Sequence, residues 1–263
     1  MRGIIMIDLS FSNLTVFLLI LARMSGMIIL NPILSRRNLP STFKAGLALA
    51  ITFVIAGTML GTDLQINSAV QFIYVAIKEF AVGWIYGFIL QMFLSVVFIA
   101  GEVMDMQMGV SMSKIYDPSS NVQMPLSGSI LNLMFFLLFF LTDSHLSLIR
   151  LTMASFQVIP VGAGTFNFAI GSFIANLFSS ILSLSLKLAL PVMAIEIITE
   201  ASMGVLMKAV PQINVFVLNI QTKVFVGLLV LFLLVGPMSS FIEMVISNAF
   251  STMQEAIKVL AAP

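Results

Sequence analysis

The sequence predicts an all-α membrane protein of about six hydrophobic helical segments, some of them broken or tilted. Three observations carry that prediction. Of the 263 residues, 60% are hydrophobic and only 9% are charged, whereas a soluble globular domain carries roughly 25% charged residues. Mean hydropathy is +1.12. Apolar runs of membrane-spanning length recur along the whole chain. The charges also exclude function classes. Twelve Lys and Arg nearly balance eleven Asp and Glu, so the clustered cationic surface that nucleic acid binding needs is missing. There is no cysteine, which removes disulfides, thiolate catalysis and Cys-ligated metals. His145 is the single histidine, a poor start for a His-based metal site.

The elements follow in order. The opening MRGIIMIDLSFSN has one Arg2 and a short apolar run cut by Asp8, with no small-residue cleavage pattern. The first long run, about 14–30, is therefore expected to stay as a membrane helix. At 1.5 Å per residue it crosses most of a core roughly 30 Å thick. Asn31-Pro32 should end it, because the residue before proline leaves the helical region. Arg36, Arg37 and Lys44 in the next loop place that loop in the cytoplasm, with the N-terminus outside. Run two is about 45–60 and ends in GTDLQIN, which has no cation. Run three, about 69–100, is too long for one upright span and is expected to be one tilted helix or two shorter ones. Run four is about 129–141. An amphipathic piece then reaches Gln157 before the loop IPVGAGTFN. Run five, about 170–198, contains Lys187, Pro191 and Glu196. Run six, about 224–246, is interrupted at Gly236-Pro237, and a short amphipathic helix is expected at the end.

Polar residues inside these runs are the candidate functional residues, since an ionisable group in a span costs roughly 2.5–3.5 kcal/mol on insertion scales. Arg23 stands alone in the first run, either pairing across a pore or locking helix packing. Lys78 and Glu79 are adjacent and point about 100° apart, so each must look to another helix or to water. Glu196 and Glu200 share a helix face and repel unless that face is wet or a cation is near, Lys187 and Lys208 being the candidates. The segment 101–125, GEVMDMQMGVSMSKIYDPSSNVQMP, is polar, rich in Met and broken at Asp117-Pro118. Glu102 and Asp105 within it share a face and would suit acid–base work or a hard cation, but no nucleophile or second histidine accompanies them. Ser111-x-x-Lys114 has the spacing of some acyl enzymes without their companion motifs. Of nineteen methionines, most read as core filling. Those of this segment sit beside Asp, Gln and Ser, where an unbranched, polarizable side chain can seal around varied shapes. Gly57-x-x-x-Gly61 and Gly83-x-x-x-Gly87 are small-residue helix contacts.

Several blocks together carry a resemblance. NPILSRRNLPSTFKAGLALAI at 31–51 is like a P-I-L-S…P…K-x-G-L block, and EFAVGWIYGFILQ follows at 79–91. AGEVMDMQMGVSMSKIYDPSSNVQMP at 100–125 is like an A-G-E…Q-M-G…D-P block. DSHLSLIRLTMASFQVIPVG at 143–162 is like a G-H-L…P-x-G block, with Ser144 where Gly is common. Pro191 and VPQINVF at 210–216 complete the set. In these the chain resembles the FliR/SctT family of the type III export gate. That resemblance implies a FliP-like N-terminal part, about 1–165, and a FliQ-like C-terminal helical hairpin, about 166–263, turning near 208–219. It implies helices that wind around a pore and lie partly above the bilayer plane. It implies FliP and FliQ as assembly partners, FlhB and FlhA as neighbours, unfolded export substrates in transit, and lipid contact in the bacterial inner membrane at the flagellar basal body.

The function expected from the resemblance is a non-enzymatic gate subunit that uses no cofactor or metal. Its pore-plugging loop lies at about 106–122 and includes Met106, Gln107, Met108, Met112, Lys114, Ile115, Tyr116, Asp117 and Pro118. Arg23, Lys78, Glu79, Glu102, Asp105, Glu196 and Glu200 are then ion-pair, packing or anchoring residues. The alternative is a polytopic small-solute or ion transporter, which broken helices with midplane charges would suit. A third reading, an intramembrane enzyme using Glu102 and Asp105, lacks a nucleophile or metal.

Overall fold

The structure is a computed structural model that describes residues 11–36, 39–59, 64, 66, 68–111, 125–162, 167, 169–210 and 215–261. All regular structure among the described residues is helical: α1 Phe11–Leu30, α2 Ser41–Met59, α3 Ala69–Met108, α4 Leu126–Leu141, α5 Ser144–Val158, α6 Ile170–Ala209, α7 Val215–Leu233 and α8 Val235–Ala261. The sequence explains each start and stop. Asn31 ends α1 by folding its side chain back, Oδ1 accepting from the Ile33 and Leu34 amides at 2.9 and 3.0 Å. Ser68 caps α3, its Oγ accepting from the Gln71 amide at 3.2 Å. Gly109, at φ +80, ends α3 in the left-handed conformation that glycine adopts without strain. Asp143, at φ 52, breaks the chain between α4 and α5.

Three expectations change. The third run is one unbroken helix of 40 residues, which continues eight residues beyond Ala100 and takes Glu102 and Asp105 with it. No proline or left-handed residue interrupts it, so nothing divides it. The fifth run, expected to end near residue 198, continues to Ala209 as a 40-residue helix; Pro191 within it leaves the Lys187 carbonyl without its intrahelical donor but does not stop the helix. The sixth run breaks at Leu234 rather than at Gly236-Pro237, with a 66° bend between α7 and α8. Pro237 falls in the first turn of α8, where its missing N–H costs nothing. Six plain spans thus become three helices long and apolar enough to cross a membrane (α1 from Asn13, α3 and α6), two broken pairs (α4–α5 and α7–α8) and the shorter apolar α2.

The chain divides into two compact units. The first comprises residues 1–91, 145–174 and 249–263, and the second 92–144 and 175–248. In the first, Val16, Leu19, Ile20 and Met24 of α1 pack with Ile55 and Ala56 of α2 and with Phe156 of α5. Here α1 and α3 approach backbone to backbone. A Cβ on Gly83 would run into the Arg23 carbonyl, and one on Gly26 into that of Phe80. The Gly83-x-x-x-Gly87 motif is therefore a contact within this chain, with Gly87 against Met27. Gly57 meets nothing, and Gly61 lies outside the described residues. In the second unit, α3 and α4 touch at Gly101 and Gly128, where a Cβ would strike the partner backbone. Phe135 and Phe139 stack along α4 at 6.4 Å between ring centroids.

Candidate functional site

The segment singled out in the sequence begins as helix. Residues 101–108 are the last two turns of α3, so Met104 and Met108 are helix residues and both are fully buried. Met106 points the other way and is 65% exposed, and Gln107 and Glu102 are half-buried. Met106, Gln107 and Met108, expected at the start of the loop 106–122, are therefore still helix, and Met104 and Met108 are packing residues because the helical repeat turns them inward. Met112, Lys114, Ile115, Tyr116, Asp117, Pro118 and Met124 lie outside the described residues.

Asp105 is the structural centre of this region. It is buried, and its carboxylate reaches the start of α4. Oδ2 accepts from the Leu126 amide at 2.5 Å, and Oδ1 accepts from the Ser127 amide at 3.1 Å and from Ser127 Oγ at 2.5 Å. The residue at the cap position, Pro125, makes no side-chain cap bond. Asp105 supplies that cap from another helix, and its charge suits the positive end of the helix dipole. The two stems of the intervening segment are thereby tied together by a carboxylate and by the Gly101–Gly128 contact.

Arg23 is buried in the first unit with every part of its guanidinium engaged. Nε donates to Glu79 Oε2 at 2.6 Å, one terminal nitrogen to Ser155 Oγ at 3.4 Å and the other to the Ile159 carbonyl at 3.0 Å. The Phe156 ring lies 4.1 Å away. The second Glu79 oxygen accepts from the Gly162 amide at 3.0 Å. The pair joins α1 to α3 and holds the turn after α5, and leaves Arg23 no free face for a pathway. Lys78, the neighbour of Glu79, lies over the Tyr74 ring one turn back at 4.3 Å.

Glu196 and Glu200 do share a face of α6, but the cation beside them is neither Lys187 nor Lys208. Lys223 of α7 donates to Glu200 Oε2 at 3.0 Å. The hairpin register decides this: α6 and α7 run antiparallel, which brings Lys223 to Glu200, whereas Lys208 belongs to the turn end of α6. Glu196 is fully buried, and neither of its oxygens has a hydrogen-bond partner. Sequence reasoning missed Lys223, Gly227, Ser127, Ser155 and Gly162. Of these, Lys223 alone left a signal, as a cation at the start of an apolar run. Among the described residues, no group of three or more His, Asp or Glu could hold a metal ion.

Comparison with known proteins places this arrangement. The family described as "Bacterial export proteins, family 1" matches residues 14–249. The chain is 30% identical over 240 residues to the flagellar biosynthetic protein FliR of Escherichia coli K12, covering 91% of this chain and 92% of the relative. It is 30% identical over 250 residues to that of Bacillus subtilis 168, covering 94% of each. A match of 24% over 185 residues, 70% of this chain and 72% of the other, extends to the surface presentation of antigens protein SpaR of Shigella flexneri. The sequence blocks, the all-helical fold and these matches over nearly the whole length agree, and the chain belongs to the bacterial export proteins of family 1, the FliR/SctT family.

Proposed function

We propose that the protein is a non-enzymatic membrane subunit of the flagellar type III export gate, which helps to form and close the pore through which flagellar proteins leave the cell. Its family supports a place in the type III export apparatus. Its long apolar helices support multi-pass insertion, which the reading assigns to the bacterial inner membrane at the flagellar basal body. FliP and FliQ are its assembly partners in this reading, FlhB and FlhA its neighbours, and residues from about 166 onward its FliQ-like hairpin. The substrates in transit are unfolded chains.

One observation carries the closure reading. Asp105 ties the end of α3 to the start of α4 across 21 positions, so the two ends of the chain between these helices are held together. A loop so anchored can plug a lumen without drawing its stem helices apart. Met106 and Gln107 stand at its foot, with Met112, Lys114, Ile115, Tyr116, Asp117 and Pro118 farther along the chain. The transporter alternative needs a charge facing a pathway, and Arg23, its best candidate, is fully engaged by Glu79, Ser155 and Ile159. The test is ion flux through membranes holding the assembled complex with residues 106–122 deleted. A leak above wild type is expected, and background flux with the complex intact rejects the plug.

A further inference from the structure

The C-terminal hairpin holds an unbalanced charge. Glu196 Oε1 lies over Gly227 of α7, in space a Cβ would fill, next to the Met108 thioether. One turn along α6, Glu200 holds Lys223, with the lysine 13% exposed and the glutamate 58%. Lys223 and Glu200 are the charged groups whose fields reach Glu196. Met108, which packs there from α3, is uncharged, and Asp105 one turn before it is committed to α4. Among the described residues, two carboxyl groups face one ammonium here, and the carboxyl without a partner is the buried one. An unpaired buried carboxylate is a costly arrangement, so among the described residues this cluster is short of one cation.

We propose that Glu196, Lys223 and Glu200 are a half-completed ion-pair cluster that docks a cationic side chain from an apolar helix of a neighbouring subunit. The incoming ammonium or guanidinium takes Glu200, and Lys223 passes to Glu196. The proposal rests on reading the chain as an assembly subunit. Accessibility sets the roles, since Glu196 is closed to the outside and Glu200 is open. Ile197, one turn before Glu200, and Met207, two turns after it, stand exposed on the same side of α6, which suits an apolar partner helix carrying one charge. Lysine suits the transfer, because its flexible four-carbon stem can cover the roughly 5.4 Å of one helical turn. The completed cluster has two pairs and no net charge.

The test is the yield of neighbouring subunits that co-purify with the chain from a co-expressed complex. E196Q removes the inner anchor for Lys223, so the lysine stays on Glu200 and opposes the incoming cation. The expected fall in yield is about fivefold or more. Adding K223M frees Glu200, and yield should return to within about twofold of wild type. Unchanged yield for E196Q overturns the proposal, because Glu196 is then satisfied without Lys223. Failure of K223M to restore yield overturns it too, as does a lowered melting point of the E196Q chain, since either outcome makes Glu196 a structural residue. If the wild-type chain brings down no neighbours, the export-subunit reading fails instead.

Discussion

Arg23 and Glu196 are both fully buried, yet the protein treats them in opposite ways. Around Arg23 the first unit supplies a carboxylate, a hydroxyl, a carbonyl and a ring face. Around Glu196 the described residues of the second unit supply a glycine and a thioether, and no donor. The difference teaches how to sort buried charges in a subunit of a larger assembly. A charge whose partners all come from its own chain belongs to folding. One left unpartnered marks where the chain is incomplete by itself.

The sharpest way to break this comparison is to remove Arg23. Arg23→Ala leaves Glu79 buried without a counter-ion, which costs roughly 3–5 kcal/mol. Denaturant unfolding of the purified chain in detergent should show this loss, and complex yield should fall more than pore closure suffers. Arg23→Met with Glu79→Leu should recover most of it, because a buried pair replaced by apolar groups is often neutral. A double variant as unstable as the single would show that the pair is not the source. Asp105→Ala comes next. It removes three hydrogen bonds to one carboxylate, each worth about 1.5–3 kcal/mol before relaxation, and a loss of about 2 kcal/mol is expected once water reaches the freed amides. Hydrogen exchange at Leu126 and Ser127 measures it, and unchanged protection would remove Asp105 as the link between α3 and α4. The smallest effect is the most telling. Glu196→Gln in the purified chain should shift stability by about 0.5 kcal/mol or less, or raise it, since it deletes an unpaired charge. A large loss would make Glu196 resemble Arg23 and erase the contrast.

Much of this was legible in the sequence, for reasons that also mark where legibility stopped. Hydropathy locates apolar runs, and seven of the eight described helices overlap a run it located, α5 being read instead as an amphipathic piece. It does not see the end of a helix that turns polar, past Ala100 in α3 and past Ile198 in α6, so both came out short. Arg23 and Glu79 each stood out as a charge in an apolar run, but their pairing joins positions 56 apart, and no local pattern encodes that distance. Asp105 looked like half of a carboxylate pair with Glu102. Its true partners are backbone amides, which every residue has and no sequence motif announces. Lys223 was passed over because its meaning depends on hairpin register, which is a property of two helices and not of either alone.

The length of α3 has a last consequence. Forty residues at 1.5 Å each make a rod about 60 Å long, against a hydrocarbon core of roughly 30 Å. Even at the steep end of observed membrane-helix tilts, about 40°, its rise would be about 46 Å. At least about 16 Å of this helix must overhang the bilayer, its polar last turns with Glu102 and Asp105 among it, while an 18-residue window of the rest reaches a mean hydropathy of 2.0. At its start Val70, Ile73, Tyr74 and Ile77 lie bare on one side. Water is a poor medium for such an overhang and lipid cannot reach all of it. The environment that suits this chain is other protein.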